Sequence, residues 1–219
     1  MKSYDVILFD LDGTITDSSE GITNSVKYML KQYGIEENDM SKLCQFIGPP
    51  LVEPLQEMYG FTEEGALEAV AQYRVYYQDK GIFENRVYEG FEEVLKVLKE
   101  KGKKVLVATS KPEVYARKIM DYFGLTQYFD YVAGAGMDER HGSKAAVIRH
   151  AFEECGIKDK SQVLMVGDRK YDVNGAKQMG VDCMGILYGF GSREELEEAG
   201  ATYIVDTVKD LEEVFHEME

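Results

Sequence analysis

Short apolar runs separated by helix-patterned stretches recur along this chain, and that alternation narrows the possible folds more than any other feature. Residues 6–9, 105–108, 131–133, 163–166, 183–187 and 203–205 are runs of strand length. Between them, apolar residues return at helical spacing. Phe91, Val94, Leu95 and Leu98 fall at i, i+3, i+4 and i+7, and Gly102 stops that helix. Pro112 suits the first turn of the next helix and Gly124 follows its end. Ser110 is a candidate N-cap for that helix, and Ser143 for one that ends near Gly156. Ser192 and Glu195 have capping-box spacing ahead of Gly200. Strands that are apolar throughout, rather than alternating, are buried on both faces, and repeated strand–helix units join them in parallel. The expected fold is therefore α/β, a Rossmann-like parallel sheet with helices on both faces.

One stretch departs from the alternation. Between Ser18 and Asn85 no strand pattern is found. Ile22, Val26, Met29, Leu30 and Tyr33 mark one amphipathic helix, and Leu51, Leu55 and Met58 a second. Leu67, Val70, Ala71 and Arg74 begin a third, expected to run to about Lys80, and Pro49-Pro50 breaks the stretch in its middle. The expected organisation is an α/β core of residues 1–17 and 86–219, with residues 18–85 inserted after the first strand as a small all-helical cap.

Bulk properties exclude several functions. A net charge of −15 argues against a nucleic-acid polymer as partner, since duplex affinity rests on Lys and Arg neutralising phosphates. No apolar run reaches the roughly 18 residues a membrane helix needs. The apolar run at the N-terminus is too short for a signal peptide. A cytoplasmic protein with no membrane association is expected. Cys44, Cys155 and Cys183 lie outside any CxxC spacing and read as free thiols rather than a zinc site.

The chemistry begins at FDLDGT, residues 9–14, at the end of the first strand. Asp10 and Asp12 are two apart, so strand periodicity points both to one face, and Gly13 permits the sharp exit that follows. Average residue usage gives DxDGT roughly one chance in several hundred of arising in a chain this long, which marks it as more than an Asp-Gly turn. In open α/β sheets ligands bind beyond the carboxyl ends of the strands. Three later elements fall at such ends. Thr109 follows a strand in VLVATSK, where its hydroxyl can meet a phosphoryl oxygen, although a hydroxyl there is more often a turn or cap residue. Lys144 opens a helix, a position whose dipole disfavours a cation. Asp168 follows a strand in VLMVGDRKYD, with Asp172 four residues on. Grouped carboxylates suit a hard cation such as Mg²⁺; the plainer reading of Asp172 is a first-turn acid.

Taken in order, these elements resemble the haloacid dehalogenase-like superfamily of hydrolases. FDLDGTITDS, IGPPL, ATSKP and YGFGSREEL are similar to its phosphoglycolate phosphatase and 5′-nucleotidase branch. The resemblance implies Asp10 as nucleophile, Asp12 as general acid and base, and Thr109 and Lys144 as phosphoryl-binding groups, with Ser110 and the backbone of Leu11, Asp12 and Gly13 alongside. It implies Mg²⁺ held by Asp10, the main-chain carbonyl of Asp12, and Asp168, with Asp172 in support. Asp12 sets the chain apart from dehalogenases and phosphonate-cleaving members, which lack that aspartate. A β-phosphoglucomutase-like mutase keeps it, and Gly13-Thr14 favours a phosphatase over that alternative. A non-catalytic phosphate sensor is a third reading. The expected partner is a small phosphate ester, with the chain a monomer or weak dimer. Substrate choice should lie in the cap, with candidates in residues 47–51 and in Lys42, Arg74, Lys80 and Arg86. Tyr73, Tyr76 and Tyr77 read as packing residues.

Overall fold

The computed structural model describes residues 1–137 and 142–218. Six strands form one parallel sheet: β1 (Val6–Phe9), β4 (Lys104–Pro112), β5 (Tyr131–Ala135), β6 (Val163–Gly167), β7 (Asp182–Ile186) and β8 (Tyr203–Val205). Their order is β5-β4-β1-β6-β7-β8. The chain runs outward from β1 through β4 to β5, then returns to β6 on the other side of β1. The strand order reverses beside β1, which is where an open α/β sheet forms a ligand crevice.

The central strands bury both faces because alternate side chains enter different cores. Ile7 and Phe9 pack with helices α5 (Phe91–Glu100), α6 (Glu113–Tyr122) and α10 (Val208–Glu217). Val6 and Leu8 pack with α7 (Lys144–Cys155), α8 (Lys170–Met179) and α9 (Arg193–Ala199). Phe9 meets Phe91 and Phe215 edge to face, at centroid distances of 5.3 and 6.2 Å. Truncating a ring so enclosed costs about 3–5 kcal/mol.

The helical stretch lies between two short strands, β2 (Thr16–Asp17) and β3 (Arg86–Val87), which pair antiparallel. Arg86 Nη2 meets Asp17 Oδ2 at 2.6 Å across this pair. Between them run α1 (Ser19–Gln32), the short α2 (Met40–Leu43), α3 (Val52–Tyr59) and α4 (Glu63–Tyr76). Their buried side chains, among them Ile22, Met29, Leu55 and Val70, continue the core on the Phe9 face of the sheet.

Several expected boundaries shift, each for a local reason. The strand expected at 105–108 extends through Thr109, Ser110 and Lys111 to Pro112, where it pairs with Ala135 after a register shift. Ser110 is thus a strand residue, and Pro112 occupies the N-cap position of α6. The helix expected to reach Lys80 is α-helical only to Tyr76. A π turn, Tyr77–Gly81, follows. Gly81 there lies so close to α1 that a Cβ on Gly21 would stand 1.9 Å from Gly81 O. The expected capping box at α9 is half formed. Ser192 Oγ accepts from Glu195 N, but the Glu195 carboxylate turns away to Arg169 Nε at 2.9 Å and Lys170 N at 2.8 Å. The Arg169 guanidinium offers that carboxylate an ion pair that the N-cap amide cannot. Among the described residues no helix is long and apolar enough to cross a membrane.

Candidate active site

The ends of β1, β4 and β6 bring the sequence-predicted residues together. Asp10 N donates to Val166 O at 2.9 Å, extending the ladder by one residue before the chain turns. Leu11 is fully buried and its carbonyl accepts from the amides of Thr14, Ile15 and Thr16. Gly13, at φ 83°, makes the turn possible, and its N–H is spent on Thr16 O at 2.8 Å. A Cβ on Gly13 would stand 2.2 Å from Asp168 Oδ2, so the turn also needs glycine for closeness.

Lys144 is the hub. Its Nζ lies 2.7 Å from Asp10 Oδ1 and 2.8 Å from Asp172 Oδ1, and donates to Ala108 O at 2.9 Å. The side chain is 2% exposed. Burial works against its charge, but the two carboxylates outweigh burial and hold its pKa above the usual lysine value. They also offset the unfavourable field at the start of α7, whose N-cap, Ser143, accepts from Ala146 N as expected. Helix α8 passes so near that a Cβ on Gly175 would lie 2.6 Å from Lys144 Cβ.

Asp168 is fully buried. Its Oδ2 accepts from Phe190 N at 2.7 Å, and Oδ1 accepts from Thr14 Oγ1 at 3.4 Å. Asp172 Oδ2 accepts from Arg169 N at 3.1 Å, so this residue is both the first-turn acid of α8 and a partner of Lys144. Burial, opposed by Lys144 and reinforced by Asp172, pushes the Asp10 carboxyl up to about 6. Burial and the neighbouring Asp172 and Asp10 carboxylates raise Asp168 well above the usual range.

One oxygen from each of Asp10, Asp168 and Asp172 can be chosen so that all lie within 4.8 Å of one another. Three buried carboxylates around one ammonium leave negative charge that burial penalises heavily. A hard divalent cation with oxygen ligands would balance it, so the donor set fits Mg²⁺. The Asp12 carboxylate does not join this group. Its Oδ2 lies 2.9 Å from Lys111 Nζ, while its Oδ1 is buried with no hydrogen-bond partner among the described residues.

Asp10 and Asp12 open onto a cleft between the sheet ends and the helical stretch. Thr109, Ser110 and Lys111 line its floor, and Thr109 Oγ1 accepts from Lys111 N at 3.2 Å. Phe46, Pro50, Tyr73, Arg74 and Tyr77 line its opposite wall. Of the basic residues singled out in the helical stretch, Arg74 reaches the cleft and donates to Met137 O at 2.8 Å. Lys42 faces Glu37, Lys80 lies over Tyr76, and Arg86 holds Asp17. Tyr73 and Tyr77 are packing residues that also face the cleft, stacked at 5.2 Å, whereas Tyr76 bonds Glu84.

Sequence reasoning passed over three groups. Lys111 stands two residues after Thr109, and strand periodicity would have flagged it had β4 been carried past residue 108. Arg169 donates through Nη1 to Ile47 O at 2.7 Å, tying the Asp168 loop to residues 47–51. The Phe190 amide is a main-chain group and leaves no signal in residue type.

A parallel sheet whose central strand leads into two aspartates, with a third aspartate after β6 and a buried lysine and a fourth aspartate from the first turns of α7 and α8, defines a class of phosphoryl-group hydrolase. The haloacid dehalogenase-like hydrolase family matches residues 7–186, and the chain belongs to it. It is a phosphatase of that family, as its relatives indicate. A 5′-nucleotidase from Pseudomonas aeruginosa is 43% identical over 96% of this chain and 95% of its own length. A tyrosine-protein kinase, PtkA, from Mycobacterium tuberculosis is 35% identical over 97% of this chain and 72% of its own. The solved structure of a predicted phosphatase from Clostridium acetobutylicum superposes with TM-score 0.94 at 47% identity, covering 97% of this chain and 98% of that one.

Proposed function

We propose that this chain is a Mg²⁺-dependent phosphomonoesterase that works through an aspartyl-phosphate on Asp10. The observation that carries the reading is the position of the Asp10 carboxylate, lining the cleft, beside Lys144 and within reach of Asp168 and Asp172. Asp10 attacks phosphorus, and the ester oxygen leaves. Asp12 gives that oxygen a proton and then takes one from the water that hydrolyses the aspartyl-phosphate. Lys144, the Thr109 hydroxyl and the Leu11–Asp12 main chain hold the phosphoryl oxygens, with Ser110 alongside on the cleft floor. Asp10, Asp168 and the main chain of Asp12 would hold Mg²⁺, with Asp172 in support. When bound, the ion neutralises the charge of nucleophile and phosphate as they approach.

Residues 18–85 serve as a cap over this core. The leaving group occupies the space between Thr109–Lys111 and the wall of Phe46, Tyr73 and Tyr77. A small phosphorylated metabolite fits, of the nucleoside 5′-monophosphate or phosphoglycolate type, and the name of the Pseudomonas relative supports the first. The free cysteines suit a reducing cytoplasm.

The test is phosphate release from a panel of phosphomonoesters, with and without Mg²⁺. Wild type should turn over only with the cation. Asp10→Asn should fall to background while remaining folded, and Asp168→Asn should need more Mg²⁺ or lose activity. Near-normal turnover by Asp10→Asn would refute the nucleophile assignment.

A further inference from the structure

Lys111 is a buried cation that the reaction above does not use. It lies on the C-terminal extension of β4, its side chain 6% exposed. Its Nζ touches Asp12 Oδ2 at 2.9 Å and donates to the hydroxyl of Tyr77 at 2.7 Å. Tyr77 is fully buried at the first position of the π turn that ends α4, stacked on Tyr73 and edge to face with Tyr115. The chain Tyr77–Lys111–Asp12 therefore runs from the helical stretch into the core. It fixes one oxygen of the Asp12 carboxylate. The other, Oδ1, is buried without a hydrogen-bond partner among the described residues, on a residue that lines the cleft.

A buried carboxylate oxygen without a partner is costly unless something arrives to use it. An aspartate that must donate a proton to one atom and then take one from water needs its working oxygen held in a single direction. The other oxygen must be occupied so that the carboxylate does not rotate. Lys111 supplies that hold through one arm, and Tyr77 keeps the ammonium in place through another. Lys144 does the parallel task for Asp10 from the first turn of α7. Each aspartate thus has its own lysine.

We propose that Lys111, braced by Tyr77, is a positioning residue that aims Asp12 Oδ1 at the leaving-group oxygen. The helical stretch thereby completes the acid, because the brace comes from its last turn. This rests on the assignment of Asp12 as general acid and base.

The experiment compares kcat/KM for para-nitrophenyl phosphate, whose leaving group needs little protonation, with that for an unactivated alkyl phosphate, in wild type, Lys111→Met, Lys111→Arg and Tyr77→Phe. General acid catalysis is worth roughly 10²–10⁴-fold, so Lys111→Met should cost the alkyl ester about tenfold more than the aryl ester. Lys111→Arg, which keeps the cation, should recover part of that gap, and Tyr77→Phe should show the same bias at smaller amplitude. In an Asp12→Asn background, Lys111→Met should add no further bias. If Lys111→Met does not fold, Tyr77→Phe, which loses one hydroxyl, carries the comparison alone. Equal losses for both esters would overturn the proposal. So would a rise in KM confined to esters that bear a second anionic group, which would make Lys111 a substrate-binding cation. An Asp10→Asn variant assayed in parallel separates the outcomes. If it stays active, the reading of the site as a whole has failed; if it is inactive and the ester bias is missing, only the role of Lys111 has.

Discussion

Asp10 is asked to carry a negative charge in a place that penalises one. Burial lifts its carboxyl from 3.8 to about 6, even with Lys144 at 2.7 Å. Between those values the folded, metal-free protein holds a proton that the unfolded chain has released. Its stability therefore falls as pH rises through that window. A cation bound at the carboxylates displaces the proton and reverses the loss. The rise in Tm produced by Mg²⁺ should thus be small near pH 5 and grow as pH climbs past about 6, measured by thermal melts with and without the ion. A Tm shift independent of pH would show that Asp10 and its neighbours do not bind the metal. Asp10, Asp12, Thr109 and Asp168 were legible in the sequence because each sits at or just past the end of a strand, and Lys144 because a cation opening a helix is out of place. Lys111 was not, because a lysine after a strand reads as a solvated charge until its burial and its partners are seen.

At the scale of elements, the strands were legible because a buried parallel strand must be apolar on both faces, and β1 and β8 match their expected limits. The extension of β4 was hidden because the site residues at 109–111 are polar and read as a loop. Helix α2 was missed because four residues carry no periodicity. Helix–helix contact near the site makes a separate demand. Gly175 lies in α8 against the stem of Lys144, with room for no Cβ. In an exposed helix interior, Gly→Ala stabilises by up to about 1 kcal/mol through propensity. Here the sign should invert, with Gly175→Ala destabilising by about 1–3 kcal/mol because Lys144 must move. Urea denaturation reads the stability, and phosphate release should fall with it. Stabilisation by Gly175→Ala would mean that α7 and α8 have slack the structure does not show.

Across the whole molecule, the proposed function divides the work: the core would meet the phosphoryl unit common to all substrates, and the helical stretch, which lines the opposite wall of the cleft, would meet what differs. The two are joined through the β2–β3 pair and through contacts such as Arg169 to Ile47 and Lys111 to Tyr77. Thr109→Ala should therefore lower kcat/KM by a similar factor for every ester, whereas substitutions at residues 47–51 should change the ranking of substrates. Specificity constants for a good and a poor substrate across both sets of variants decide this, and the reverse pattern would move specificity into the core. The acidity of the molecule does not preclude an anionic substrate, because Lys144 and Lys111 offset the charges of Asp10 and Asp12 and a divalent cation at the remaining carboxylates would neutralise the rest. The central claim is that phosphate passes through Asp10 before water receives it. The stereochemical course at phosphorus tests this most directly, using an ester made chiral with oxygen isotopes and sulfur. Two successive in-line displacements, each inverting the centre, predict overall retention of configuration; net inversion would mean direct attack by water and would contradict it.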